Sequence, residues 1–175
     1  MTTEIEFRQY DPRDQAAVLE LHEWAMREAG TDPADIPGSA DLQRIEATYL
    51  DAGGAFLVGI ADSLPQSVPE TFDGQVAAMG GFLPNEAGHD DERTVPGSVE
   101  LHRMRVAPPC QGNGSGRALL DELEGRIDRT AYDRLLATTA QRQQRALALY
   151  SEAGYREVDR SVRGEYELVH FEKPL

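Results

Sequence analysis

The sequence predicts a mixed α/β fold with a partly parallel central sheet of about seven strands. Two observations support this fold class. Short apolar or alternating runs, typical of strands, are interspersed with segments in which apolar residues recur at helical spacing. In addition, a helical segment separates the strand-like runs at 98–106 and 135–139. A helix between two strands of one sheet implies parallel pairing through a right-handed crossover.

The first half of the chain predicts three strands and two helices. Residues 5–10 alternate apolar and polar side chains, as a half-buried strand does. A helix follows and ends at Gly30, and its apolar stripe contains Val18, Leu21, His22 and Ala25. The stripe position favours a packed, hydrogen-bonded His22 over a histidine in a pocket. The other predicted elements are a helix at 41–50, strands at 55–61 and 75–83, and loops at 31–40, 64–74 and 84–97.

The second half predicts four strands and two helices. They are strands at 98–106, 135–139, 155–162 and 166–171, and helices at 117–127 and 143–153. Gly154 is suited to end the second of these helices, and Gly164 to turn the final hairpin. Because the chain has no internal repeat and no convincing linker, we expect residues 1–175 to form a single domain.

The charge of the chain excludes some partners. The net charge of −14 and the pI near 4.6 argue against binding to nucleic acid, which requires a basic surface. The acidic residues are spread along the chain, and Lys173 is the only lysine. A diffuse acidic surface with little lysine is typical of proteins from a salty cytoplasm, where carboxylates keep the protein hydrated. We therefore interpret the composition as halophilic.

The sequence also predicts a cytoplasmic protein that neither crosses nor binds a membrane. It contains no apolar run as long as the roughly 18 residues of a transmembrane helix. Its first residues have neither the basic nor the apolar region of a signal peptide. The single cysteine, Cys110, excludes an internal disulfide and a cysteine-cluster metal site, and we expect no metal. We read Cys110 as an ordinary loop thiol.

In the fourth predicted strand, the alternation of apolar and polar side chains changes phase. Apolar side chains occupy the odd positions Val99 and Leu101 and then the even positions Met104 and Val106. A β-bulge produces this pattern, because one extra residue turns every later side chain to the other face. Partial burial of both faces would produce it too. A bulge would splay the strand and free backbone groups for a ligand.

Three glycines follow, where this strand leads into a helix. Gly112, Gly114 and Gly116 can adopt positive φ and let a ligand approach the backbone. The helix that begins there offers unpaired N–H groups and the positive end of its dipole. The turn therefore suits a phosphate group, although three glycines also make an ordinary flexible loop.

Together, the order of elements and two motifs resemble the GNAT superfamily of N-acetyltransferases. The first motif is Gln111-Gly112-Asn113-Gly114-Ser115-Gly116, which follows Val106-Ala107-Pro108 at the family's spacing. The second runs from Ala146 through Tyr150 to Gly154-Tyr155. The resemblance covers about residues 5–173. It implies helices on both faces of the sheet and a splay at the fourth strand.

The resemblance also implies that the chain binds acetyl-CoA as a co-substrate. The backbone of Met104, Arg105 and Val106 would hold the pantetheine arm and the acetyl carbonyl. The pyrophosphate would be held by Gln111, Gly112, Asn113, Gly114, Ser115, Gly116 and Arg117. Gln143 stands where many members have an asparagine that binds the pantetheine, so this contact would be longer or absent.

For catalysis, the resemblance implies direct transfer of the acetyl group to an amine. Tyr150 matches the tyrosine that protonates the leaving thiolate, although its stripe position also suits a core tyrosine. Glu100 matches a glutamate that deprotonates the amine in some members, and a solvated carboxylate is the alternative. His102 is the nearest rival as the base.

The acceptor is a primary amine of a small molecule or of a protein, and no motif in the chain selects between them. The resemblance leaves a homodimer open. A catalytically silent acyl-CoA-binding regulatory module is the alternative function. A phosphate-binding domain of another fold does not explain the motif around Tyr150.

The halophilic interpretation predicts that salt stabilises the protein. Screening by KCl weakens repulsion among the excess carboxylates, so the midpoint of thermal unfolding should rise across a KCl series up to molar concentrations. Calorimetry at constant pH measures this midpoint. An unchanged or falling midpoint would contradict the interpretation.

Overall fold

The computed structural model describes residues 3–30, 39–85 and 94–175. Its strands are β1 (Glu6–Gln9), β2 (Ala55–Ala61), β3 (Glu70–Thr71), β4 (Gly74–Pro84), β5 (Ser98–Val106), β6 (Arg134–Ala140), β7 (Arg156–Arg163) and β8 (Tyr166–Pro174). Its α-helices are α1 (Gln15–Glu28), α2 (Ser115–Gly125) and α3 (Gln144–Glu152). Within the described residues, no helix is long and apolar enough to span a membrane.

The strands confirm the predicted mixed sheet. Their order is β1-β2-β4-β5-β6-β8-β7, and β3 pairs with β4. β5 pairs with β6 in parallel, as the crossover through α2 requires, whereas β6 with β8 and β7 with β8 are antiparallel. The parallel register joins Ser98–Glu100 to Arg134–Leu136, and both strands continue beyond it. The sequence did not predict β3, which is only two residues long.

The chain divides into two compact units. One consists of Met1–Gly81 and Arg103–Arg126, and the other of Phe82–His102 and Ile127–Leu175. Within β5 the division falls between His102 and Arg103. That residues 1–175 act as one domain stays a prediction.

One predicted helix is confirmed only in part, because its turns are not α-helical, and parts of two predicted loops lie outside the described residues. The segment predicted as a helix at 41–50 instead forms a 3₁₀-helix at Ser39–Gln43 and a π-helical turn at Glu46–Leu50. Asp41 is 6% exposed and accepts a hydrogen bond from the Tyr49 hydroxyl at 2.7 Å. This buried polar contact outweighs helical periodicity. Of the predicted loops, residues 31–38 and 86–93 lie outside the described part of the chain.

The phase change in β5 coincides with a left-handed residue. Arg103 has φ +57°, and among the described non-glycine residues only Ser63 shares a positive φ. Before Arg103 the strand is buried, and from Arg103 to Val106 it is half-buried. A left-handed residue can turn the following side chains to the other face, as a β-bulge does. Every residue from Ser98 to His102 is buried, so both faces of this stretch are buried too, and the bulge stays a prediction.

A buried ion pair holds Arg103 in this conformation. Its Nε and Nη2 donate to Asp41 Oδ2 and Oδ1 at 3.0 and 2.9 Å, and the two side chains are 11% and 2% exposed. Although burial opposes it, the hydrogen bonds and charge of Asp41 raise the pKa of Arg103 above its usual value. Because a bidentate pair fixes the direction of the guanidinium, it constrains the backbone at Arg103.

After Arg103, Met104 packs toward α2. A Cβ atom on Gly80 of β4 would lie 3.1 Å from Met104 Cγ and 3.2 Å from Leu123 Cδ1. The missing side chain at Gly80 therefore lets the helix approach the sheet closely. Leu119, Leu120 and Leu123 of α2 are fully buried. This packing fixes α2 and with it the turn that precedes the helix.

Loss of the Asp41 carboxylate should destabilise the fold strongly. Asp41→Ala leaves the buried Arg103 charge without this carboxylate, so the free energy of unfolding should fall by about 3–5 kcal/mol. Urea denaturation at constant salt measures the change. The control is Glu23→Ala, which breaks an exposed pair with Arg27 and should cost about 0.5 kcal/mol or less. Equal small losses in both variants would show that the buried pair does not stabilise this conformation of β5.

Candidate active site

The glycine turn between β5 and α2 has left-handed backbone at two of the three predicted glycines, whereas Gly116 lies within α2 and does not have a positive φ. Gly112 has φ +79° and Gly114 has φ +91°, conformations that residues with a side chain rarely adopt. Gly114 occupies the N-cap position of α2, and no side-chain hydrogen bond caps this end of the helix. The backbone N–H groups of the first turn can therefore donate to an anion.

Side chains of the turn bond mainly within it. Gln111 Nε2 donates to the carbonyl oxygen of Val106 at 2.9 Å, which closes the turn onto the end of β5. Ser115 Oγ donates to Asn113 Oδ1 at 2.7 Å. Arg117 is about half exposed and pairs with Asp121 through Nε at 3.0 Å. The backbone is thus the main donor set of the turn, and Arg117 adds positive charge one turn into α2.

The strand that leads into the turn is anchored at its end. The N–H of Ala107 donates to the carbonyl oxygen of Ala77 at 2.8 Å. Met104, Arg105 and Val106 are half-buried, and Arg105 Nη1 donates to the carbonyl oxygen of Met104 at 2.9 Å.

Burial raises the pKa of the nearby Cys110 thiol, which fits a thiol without nucleophilic function.

Glu100 belongs to the unit formed by Phe82–His102 and Ile127–Leu175, and it is buried rather than solvated. Glu100 is 2% exposed, and Asn85 Nδ2 donates to Glu100 Oε2 at 2.9 Å. Thr138 Oγ1 donates to Oε1 at 3.5 Å. The amide of Asn85 is itself held, because its Oδ1 accepts the N–H of Val95. A carboxylate with fixed donors is oriented, as a general base must be. His102, the rival base, is 7% exposed.

Tyr150 and Gln143 belong to α3 and its N-terminal boundary. The Tyr150 residue is 6% exposed, and its ring centroid lies 5.3 Å from that of Tyr155 and 5.5 Å from that of Phe171. Gln143 occupies the N-cap position of α3, and its Oε1 accepts a hydrogen bond from Thr139 Oγ1 at 3.3 Å. The rings of this cluster fix the position of Tyr150 in the unit.

His22 is packed, as its stripe position predicts, but one ring nitrogen lacks the expected hydrogen bond. The residue is 2% exposed, and within the described chain Nδ1 has no hydrogen-bond partner. Burial, together with the charges of Arg105 and Arg103, lowers the pKa of His22 to about 3. The ring is therefore neutral at physiological pH.

The partners of Glu100 could not be predicted from the sequence. Asn85, Thr138 and His170 come from three separate segments, and only the tertiary fold brings them to the carboxylate and its neighbours. No local pattern marks them in the sequence.

Among the described residues, no group of three or more His, Cys, Asp or Glu side chains is arranged to hold a metal ion.

Comparison with known proteins identifies the family. The model of the Acetyltransferase (GNAT) family matches residues 18–155. A comparison with curated protein sequences gives no match.

Solved structures share the fold. A GNAT-family acetyltransferase from Staphylococcus aureus Mu50 has a TM-score of 0.76 and 18% identity, over 98% of this chain and 99% of that one. The Salmonella typhimurium protein yncA, solved with its cofactor acetyl-CoA, has a TM-score of 0.70 and 21% identity, over 98% and 94%. The ribosomal-protein-S18-alanine N-acetyltransferase of Escherichia coli has a TM-score of 0.65 and 17% identity, over 98% and 94%.

The family model covers most of the chain, and the strand order, the glycine turn and the structural neighbours agree with it. The chain therefore belongs to the GNAT family of acetyltransferases.

Proposed function

We propose that the protein transfers an acetyl group from acetyl-CoA to a primary amine by direct attack of the amine on the thioester. The observation that carries this proposal is the uncapped N-terminus of α2 behind the left-handed Gly114. It supplies backbone donors for the pyrophosphate of the cofactor. The half-buried backbone of Met104–Val106, after Arg103, would bind the pantetheine arm.

Direct transfer requires three proton and charge events. The ammonium group of the acceptor loses a proton, the thioester carbonyl is polarised, and the leaving thiolate gains a proton. In our proposal Glu100 takes the proton of the acceptor and Tyr150 protonates the thiolate. Glu100 is favoured over His102 because its carboxylate is held by two side-chain donors, Asn85 and Thr138.

The acceptor class stays broad. The neighbours include an enzyme named for the alanine of a ribosomal protein and the NatC complex solved with a peptide and CoA, so protein amines are as consistent with this fold as small amines. The net charge of −14 favours a cationic acceptor, since an acidic surface raises the local concentration of cations.

A panel of amines tests the proposal directly. Release of free CoA thiol from acetyl-CoA should increase with at least one amine of a panel that includes polyamines, amino acids and peptides with free N-termini. A silent acyl-CoA-binding module would bind acetyl-CoA in calorimetry but release thiol at the same rate with and without every amine.

The glycine turn should control affinity for the cofactor. An alanine at Gly114 disfavours φ +91°, and restoring this conformation on binding costs about 1–2 kcal/mol, so acetyl-CoA should bind about tenfold more weakly. Isothermal titration measures this dissociation constant. Gly164→Ala is the matched control, because Gly164 also has positive φ and open space around it but lies in the β7–β8 turn. If both variants bind like the parent, the turn does not hold the pyrophosphate.

The Tyr150 hydroxyl should act in catalysis rather than in packing. Tyr150→Phe keeps the ring but removes the proton donor, so kcat should fall by about 100-fold with little change in the KM for acetyl-CoA. The control is Tyr155→Phe, which changes the neighbouring ring at 5.3 Å and should alter kcat less than about twofold. Unchanged turnover in Tyr150→Phe would remove the acid from the mechanism.

A further inference from the structure

A directed chain of hydrogen bonds leads from the protein surface to Glu100. Ser161 Oγ lies 2.8 Å from His170 Nε2, and His170 Nδ1 lies 2.9 Å from Thr138 Oγ1. Thr138 Oγ1 in turn donates to Glu100 Oε1 at 3.5 Å. Ser161 is exposed on β7, whereas His170 is 3% and Glu100 is 2% exposed. All four residues belong to the same compact unit.

Donation from Thr138 to Glu100 requires one tautomer of His170, because a ring with its proton on Nε2 would instead accept the Thr138 proton at Nδ1. With the His170 proton on Nδ1, the ring donates to Thr138 and accepts from Ser161. Thr138 has a single hydroxyl proton, and since its oxygen accepts from His170, that proton is directed to Glu100. Protonation of His170 keeps Nδ1 as a donor to Thr138 and makes Nε2 a donor to Ser161.

The backbone makes the arrangement rigid. Thr138 and His170 are register partners on the antiparallel strands β6 and β8, so their side chains lie next to each other on one face of the sheet. Glu100 pairs in register with Leu136, two residues before Thr138 on β6. Each side chain is therefore placed by strand pairing rather than by a loop.

We propose that Thr138 and His170 are positioning residues that keep Glu100 ionised and oriented as the base of the acetyl transfer. A hydrogen bond donated to a carboxylate favours its charged form. A buried carboxylate needs such donors, since burial alone favours the protonated form, which cannot accept a proton from the amine. This inference rests on the proposed function, because it requires Glu100 to be the base.

The pH dependence of the reaction gives the test. Without the Thr138 donor, Glu100 ionises less readily, so the acid limb of the kcat/KM profile for the amine should move to higher pH. Thr138→Val should move it by about one pH unit, the equivalent of one hydrogen bond to a charged group. Thr138→Ser, which retains the hydroxyl, should restore the parent profile. His170→Leu should shift the limb in the same direction, and His170→Asn, whose amide can replace Nδ1 as donor, should shift it less.

Other charged groups near the chain stay constant among these variants. They include His102, two residues beyond Glu100 on β5, and Asp159, the register partner of His170 on β7. Glu172 lies two residues farther along β8 and pairs with Arg134 at 3.7 Å. Thr130→Val is the control, since it removes a threonine hydroxyl that bonds Asp128 in an exposed turn. Its profile should match that of the parent.

A titration without turnover separates this inference from the proposed function. In the ¹³C NMR spectrum, the ionisation midpoint of the Glu100 carboxyl should rise in Thr138→Val and return in Thr138→Ser. An unchanged midpoint would overturn the positioning role whatever the kinetics. A midpoint that shifts while the acid limb of kcat/KM does not would overturn the assignment of Glu100 as the base, and the inference with it.

Discussion

The ion pair between Arg103 and Asp41 is the interaction on which the conformation of β5 depends. A left-handed conformation is unfavourable for an arginine, and a buried ion pair gains little net stability over apolar packing. The pair instead fixes one conformation, because both oxygens of Asp41 bind the guanidinium and the Tyr49 hydroxyl binds the same carboxylate. The chain thereby holds a change of strand phase that no apolar contact would specify.

The left-handed conformation of Arg103 affects the residues that follow it. Met104 turns toward α2, which packs closely over Gly80, and the helix carries the glycine turn at its N-terminus. In the neighbouring stretch of β5, Glu100 is buried and held by side chains from other segments. In our proposal β5 thus has two tasks. Its residues after Arg103 bind the cofactor, and Glu100, which precedes Arg103, removes a proton from the acceptor.

Most of the fold could be predicted from the sequence, because the strands and helices have clear periodicity. The strand at 98–106, its change of phase and the turn at Gly112 and Gly114 all follow from local patterns. The segment around Asp41 and Tyr49 could not be predicted, since its conformation depends on Arg103, which is distant in sequence. For the same reason the sequence does not predict that Thr138 donates to Glu100 or that His170 bonds Thr138, because Thr138 and His170 meet only through the pairing of β6 with β8.

Amide hydrogen exchange in the free and acetyl-CoA-bound protein tests whether β5 and the glycine turn form the cofactor site. If they do, acetyl-CoA should slow exchange at Met104–Val106 and at residues 112–117. Exchange in the β7–β8 turn around Gly164 should change little. Bound acetyl-CoA that leaves exchange unchanged in both of the first two segments would contradict this assignment of the cofactor site.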